Sequence, residues 1–131
     1  IQHDDVKYLS DPELNLSNYS NPTPIIVKGR IEEVREGDHI ICGSVDLTVY
    51  ETPGHTPGGV CYYMPGLVFV GDTLFNQSIG RTDFVEGDYD TLIDAIKTKL
   101  YTLPDETMVY PGHGPETQIG YEKQYNPFVG A

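Results

Sequence analysis

Basic residues are scarce in this chain. Only 8 Lys and Arg stand against 20 Asp and Glu, which leaves a formal charge of −12. Such a surplus repels phosphate backbones and anionic lipid heads, and no local Lys/Arg cluster offsets it, so nucleic acid and membrane surfaces are disfavoured as partners. Long hydrophobic runs are missing too. Every apolar stretch meets a turn signal or a charge well before the roughly 20 residues that a spanning helix needs. The opening residues, Ile1 to Leu9, lack the basic region followed by an apolar one that marks a signal peptide. Cysteine is limited to 2 residues, Cys42 and Cys61, which sit in apolar strand-like runs and form no C-x-x-C pair. Both thiols are expected to be reduced and buried, as suits a cytoplasmic protein.

The 131 residues suit one domain with a single modest core, preceded by a loop-rich lead-in over residues 1–24. A short helix is expected over Asp4 to Leu9, then an irregular Asn-, Ser- and Pro-rich excursion as far as Pro24. Strands are expected at Ile25 to Val27, Ile31 to Val34, His39 to Cys42 and Val45 to Tyr50. Two more, "GVCYYM" and "LVFVGD", flank Pro65-Gly66 and read as a hairpin. Asp88 is a good N-cap for a helix whose apolar stripe is Leu92, Ile93, Ile96 and Leu100 and whose stop is Pro104. Thr107 to Tyr110 reads as a buried strand, and "PETQIGYEKQY" as a final helix with Pro115 in its first turn. The order of elements predicts an α/β (α+β) fold with a sheet covered by helices.

Three apolar strands each run into a residue that can bind a metal. "LTVY" leads to His55, "LVFV" leads to Asp72, and "MVY" leads to His113. A rigid sheet can gather side chains carried on the loops that follow its strands, so the three can converge on one edge. Glycine and proline beside His55 and His113 reduce bulk and stiffen the backbone. Two imidazoles and a carboxylate suit zinc, and equally non-haem iron. Taken singly, each has an ordinary structural explanation: a turn histidine, or an aspartate capping Thr73 and Leu74.

The series "TPGHTPGG", "GDTLF", "IGRTDF", "YPGHGPET" and "GYEKQYNPF" resembles, in this order, the C-terminal half of the metallo-β-lactamase-fold hydrolases, and within them the glyoxalase II-like subgroup. The resemblance covers roughly residues 31 to 131. It implies half of an αββα sandwich with a mostly antiparallel or mixed sheet. It also implies that His55 completes a first metal site, that Asp72 is the catalytic carboxylate shared by two metals, and that His113 belongs to the second. The implied cofactor is a divalent metal, zinc first, with iron or manganese as substitutes. The implied reaction is hydrolysis of a small-molecule thioester, such as an S-acylglutathione. Arg81 is then placed to fork a substrate carboxylate, with a salt bridge to Asp83 or Asp88 as the plainer reading. Tyr121 and Lys123 are weaker substrate-binding candidates.

The family's H-x-H-x-D-H motif is absent; the histidines are His3, His39, His55 and His113. His3 is expected at the surface and His39 at a strand edge. The chain is therefore expected to be the C-terminal part of a truncated hydrolase, metal-free or weakly metal-binding and inactive alone, because two protein ligands per metal fall short of the usual three. A sheet face left open is expected to pair two copies as a homodimer. Two further readings stand beside this one: an iron-dependent persulfide dioxygenase of the same fold, and a metal-free interaction or assembly module.

Overall fold

The computed structural model describes residues Ile1–Ala131. A 3₁₀ turn over His3–Leu9 opens the chain, and the short helix α1 (Ser17–Ser20) follows. The sheet then begins with β1 (His39–Cys42), β2 (Val45–Glu51), β3 (Val60–Met64) and β4 (Leu67–Gly71). A small separate hairpin, β5 (Leu74–Phe75) and β6 (Ser78–Ile79), precedes α2 (Tyr89–Thr98). The chain returns to the sheet as β7 (Met108–Pro111) and β8 (Thr117–Gln118), and ends with α3 (Ile119–Tyr125).

The main sheet has 6 strands in the order β1-β2-β3-β4-β7-β8. All neighbours are antiparallel except β4 and β7, whose parallel pairing follows from the crossover through α2. Alternation decides which side chains face the helices. Val68 and Val70 of β4, Cys61 of β3 and Val109 of β7 point inward and join Leu92, Ile96 and Ile119 in one buried cluster. Burying Leu92 and Ile96 on α2 contributes about 1.5–3 kcal/mol each. The helix starts where its cap predicts, with Asp88 Oδ1 accepting from the Thr91 amide at 2.7 Å. On the opposite face, Tyr62, Phe69 and Tyr110 share a rung of the sheet, and Phe69 and Tyr110 are 44% and 40% exposed. No helix is long and apolar enough to cross a membrane.

A mixed, mostly antiparallel sheet with covering helices is thus what the fold contains, and several local expectations are corrected. Ile25–Val27 is not a strand: the Ile25 amide donates to Ser17 Oγ at 2.8 Å and the Val27 amide to the Leu9 carbonyl at 2.7 Å, so these groups anchor a loop. In Ile31–Val34 only Val34 pairs, as an isolated bridge to Gln2. The final helix begins at Ile119, because Thr117 and Gln118 are drawn into the sheet against Val109 and Met108. Gly120 lets that helix press against the preceding loop, since a Cβ there would lie 2.9 Å from the Asp105 side chain. Cys61 is buried as expected, but Cys42 is exposed. It ends the outermost strand, which pairs only with β2.

Candidate functional site

Between β2 and β3 the chain makes the turn Thr52 to Gly59 that carries His55, and contacts from two distant parts of the chain pin it. Gly54 has φ +132°, and a Cβ there would lie 2.5 Å from the Leu92 backbone, so the turn sits directly on the start of α2. The Asp88 amide donates to the Gly54 carbonyl at 2.8 Å. From the other side Asp5 accepts from Thr56 Oγ1 at 2.5 Å and from the Gly58 amide at 2.8 Å. The glycines around His55 therefore serve close packing as much as backbone freedom.

Asp72 follows β4 at a register shift between Phe69 and Gly71, an irregularity that turns the strand end out of the ladder. Two glycines enclose it. A Cβ on Gly80 would come within 1.7 Å of the Asp72 carbonyl, and one on Gly112 within 2.4 Å of Asp72 Oδ1. His113 follows β7, and the Gly112 amide before it donates to the Gly71 carbonyl at 2.7 Å, tying the two strand ends together.

These three side chains meet. His113 Nδ1 donates to Asp72 Oδ1 at 2.8 Å, and His55 Nε2 lies 3.4 Å from Asp72 Oδ2. His55 Nδ1 is 2.7 Å from the Arg81 carbonyl, which can only accept, so Nδ1 carries the proton and donates. In the neutral ring Nε2 then has only a lone pair, which faces a carboxylate oxygen. Two acceptors face to face repel each other, and a cation between them resolves the conflict. A carbonyl that fixes the tautomer from behind is also the usual support of a metal-binding histidine. The donor set thus fits a divalent metal in type and in the orientation of His55. It falls short in geometry, since no group of three or more His, Cys, Asp or Glu is arranged to hold an ion.

The cleft above them has a volume of about 460 Å3 and is also bordered by Phe75, Ser78, Ile79, Arg81 and Phe84. Phe84 stands edge-on to the His55 ring at 5.4 Å, and Phe75 edge-on to His113 at 5.8 Å. The Arg81 guanidinium lies over Phe84 at 4.4 Å and makes paired hydrogen bonds to Asp83 at 2.7 and 2.8 Å. Tyr121 and Lys123 do not border the cleft. The Tyr121 hydroxyl accepts from Gln77 at 2.6 Å, and Lys123 pairs with Asp105 at 2.5 Å. His3 and His39 pair elsewhere, with Glu33 and Asp46, each at 2.7 Å. Beneath the site the hydroxyls of Thr52 and Thr73 lie 3.2 Å apart, and Thr52 is 3.2 Å from Cys61 Sγ. Burial pushes the Cys61 thiol up to about 11, so it is no nucleophile near neutral pH.

Sequence reading passed over Phe84, Phe75, Asp5 and Glu122. Glu122 is fully buried and accepts from the Gln77 amide at 3.0 Å, Thr117 Oγ1 at 2.6 Å and Asn126 Nδ2 at 2.8 Å. Thr117 and Asn126 lie within 5 residues of it, but the Gln77 amide that completes the set lies 45 residues away, beyond the reach of local patterning.

The profile of the metallo-beta-lactamase superfamily matches residues 2–113. Hydroxyacylglutathione hydrolase GloC of Haemophilus influenzae is 44% identical over 97 residues, covering 72% of this chain and 46% of that protein. Among solved structures, the BLEG-1 B3 metallo-beta-lactamase is 38% identical with a TM-score of 0.90, over 100% of this chain and 64% of that one. TTHA1623, solved in a di-iron-bound form, is 34% identical with a TM-score of 0.84, over 98% of this chain and 63% of that one. The chain spans less than two thirds of the length of each. Strand order, the convergence of the three strand ends and these likenesses agree: the chain belongs to the metallo-beta-lactamase superfamily.

Proposed function

We propose that this site, in a full-length form of the protein, hydrolyses a thioester of glyoxalase II type with an S-acylglutathione-like substrate, and that the present chain alone is inactive. The observation that carries the reading is the Asp72 carboxylate set between the His55 and His113 imidazoles at three strand ends. The likeness to GloC supports the substrate class. His55, Asp72 and His113 would hold the divalent ion, zinc or in its place iron or manganese, which would supply Lewis acidity and lower the pKa of water to about 7. The Arg81 carbonyl keeps His55 in the tautomer that presents Nε2 to the cleft. Asp72, as the catalytic carboxylate, has Oδ1 held by His113 and turns Oδ2 toward His55 at the cleft floor. A thiolate with a pKa of about 8.5 leaves without an obligatory general acid, which suits a cleft built this way. Arg81 binds a substrate carboxylate once it exchanges Asp83, and Tyr121 and Lys123 contribute at most an outer contact.

The test is S-acylglutathione hydrolysis by this chain with added zinc and by a full-length form. A full-length rate from the chain alone overturns the claim of inactivity, and an unchanged rate in full-length Asp72→Ala overturns the site. The two-histidine, one-carboxylate set also favours a second reading, an iron-dependent persulfide dioxygenase. Oxygen uptake with a thiol persulfide distinguishes the two. A cytoplasmic setting is part of the proposal, supported by two unpaired thiols. So is a homodimer of this chain through the open rung of Tyr62, Phe69 and Tyr110, which a clean monomer in light scattering at high concentration refutes.

A further inference from the structure

Next to the metal-type cleft lies a second, smaller cavity. It has a volume of about 240 Å3 and lies between the N-terminal segment and the loop before α2. Its apolar wall is formed by Tyr8, Leu14, Leu16, Phe84 and Val85. Phe84 borders both spaces, and Thr56, which also lines the smaller one, is the residue after His55. The two spaces are therefore neighbours across one aromatic ring.

Size and charge limit what the cavity takes. Whole small-molecule ligands occupy pockets of about 300–1,000 Å3, so this space fits one arm of a ligand. Its two carboxylates are already engaged within the chain: Glu86 with Lys7 and Tyr8, and Glu13 with Asn18 and Tyr19. Lys7, the cation nearest in these contacts, is neutralised by Glu86. An anionic group entering here would lose its hydration and find no free cation, since Lys7 is taken by Glu86. An aliphatic or aromatic group meets only apolar side chains.

Two features mark the wall as more than a packing defect. Leu16 is held at φ 63°, in the left-handed region that leucine rarely adopts, where the side chain faces the cavity. Val85 is 100% exposed at the mouth, an apolar side chain with no partner of its own. Asn15 braces this wall, donating from Nδ2 to the Tyr8 carbonyl at 2.8 Å and to the Ile25 carbonyl at 3.1 Å.

We propose that this cavity is the subsite for the uncharged, apolar acyl arm of the substrate whose carbonyl carbon is placed over Asp72. The proposal rests on the hydrolase reading for what the arm is attached to, and on the cavity alone for the preference itself. It makes acyl-chain length the property that the enzyme discriminates.

The experiment titrates the chain, without metal, with the N-methylamides of propanoic, pentanoic and heptanoic acid, in which the acyl arm alone grows, and follows the methyl resonances of Leu14, Leu16 and Val85. At about 0.8 kcal/mol per buried methylene, affinity rises about fourfold per added carbon until the cavity is full. Leu14→Trp fills the space and removes the response; Val85→Glu places a charge at the mouth from a fully exposed position and weakens binding while leaving the fold intact. Shifts that ignore chain length, fall elsewhere on the protein or survive both substitutions overturn the subsite. In parallel, acetyl and hexanoyl thioesters are offered to the zinc-loaded full-length form. Amide binding without any turnover refutes the hydrolase reading and leaves the subsite standing. Turnover without chain-length-dependent amide binding does the reverse.

Discussion

Replacing Glu122 by alanine is expected to be the most damaging single change outside the cleft. The carboxylate is fully buried and accepts three hydrogen bonds, from the Gln77 amide, Thr117 Oγ1 and Asn126 Nδ2. Truncation leaves the Gln77 amide, the Thr117 hydroxyl and one N–H of Asn126 without a partner, the other N–H keeping the Ser78 carbonyl, and opens a void, a combination that costs about 3–5 kcal/mol. Domains of this size are stable by about 5–15 kcal/mol, so the loss is a large share of the total. With a urea m-value of about 1–3 kcal/mol/M, the unfolding midpoint falls by about 2 M. The chain has 0 Trp, so unfolding is followed by far-ultraviolet circular dichroism. Glu122→Gln is the control. The Thr117 hydroxyl can reverse and accept from the new amide, so this variant loses about 1–2 kcal/mol. The change also reaches the cleft. Gln77 sits at φ 56° in the hairpin turn before Ser78 and Ile79, and Glu122 holds its amide there. A loss below about 1 kcal/mol for Glu122→Ala would refute the reasoning that the network is load-carrying.

A disulfide-exchange reagent is expected to modify one thiol per native chain, Cys42, and a second, Cys61, only after unfolding, because Cys61 is buried and its pKa is raised to about 11. Two fast-reacting thiols in the native chain would contradict the packing described. Burial, assisted by the Glu122 charge, raises the pKa of the Tyr101 phenol in the folded chain above the unfolded value of about 10. Its stabilisation is therefore complete below about pH 10 and is lost as pH rises beyond that, since the unfolded chain gives up the proton first. The urea midpoint should fall on this alkaline side, and Tyr101→Phe should flatten that part of the profile while losing the 2.6 Å bond to the Val129 carbonyl.

What could be read from the sequence was whatever local chemistry decides. Pro65-Gly66 predicts the β3–β4 turn and Asp88 predicts the start of α2, because turn and cap residues act on their immediate neighbours. The convergence of His55, Asp72 and His113 was legible as three strand ends, although the bond from His55 to the Arg81 carbonyl spans 26 residues and was not. Asp5 illustrates the limit. It fixes the His55 turn from 51 and 53 residues away, and nothing in "HDDVKYL" announces that. Ile25–Val27 failed in the opposite direction: the residues favour a strand, yet their amides are taken up by Leu9 and Ser17. β8 was hidden because "TQIGYEKQY" has helical chemistry, and only pairing with β7 draws its first two residues into the sheet.

The central claim is that His55, Asp72 and His113 form one metal-type site. Its most direct test is a zinc titration of the chain followed by the imidazole resonances of all 4 histidines. The His55 and His113 signals are expected to move together while His3 and His39 stay in place, and Asp72→Ala is expected to remove the coupled response. Equal shifts in all four histidines, or a coupled response that persists in Asp72→Ala, would contradict the claim.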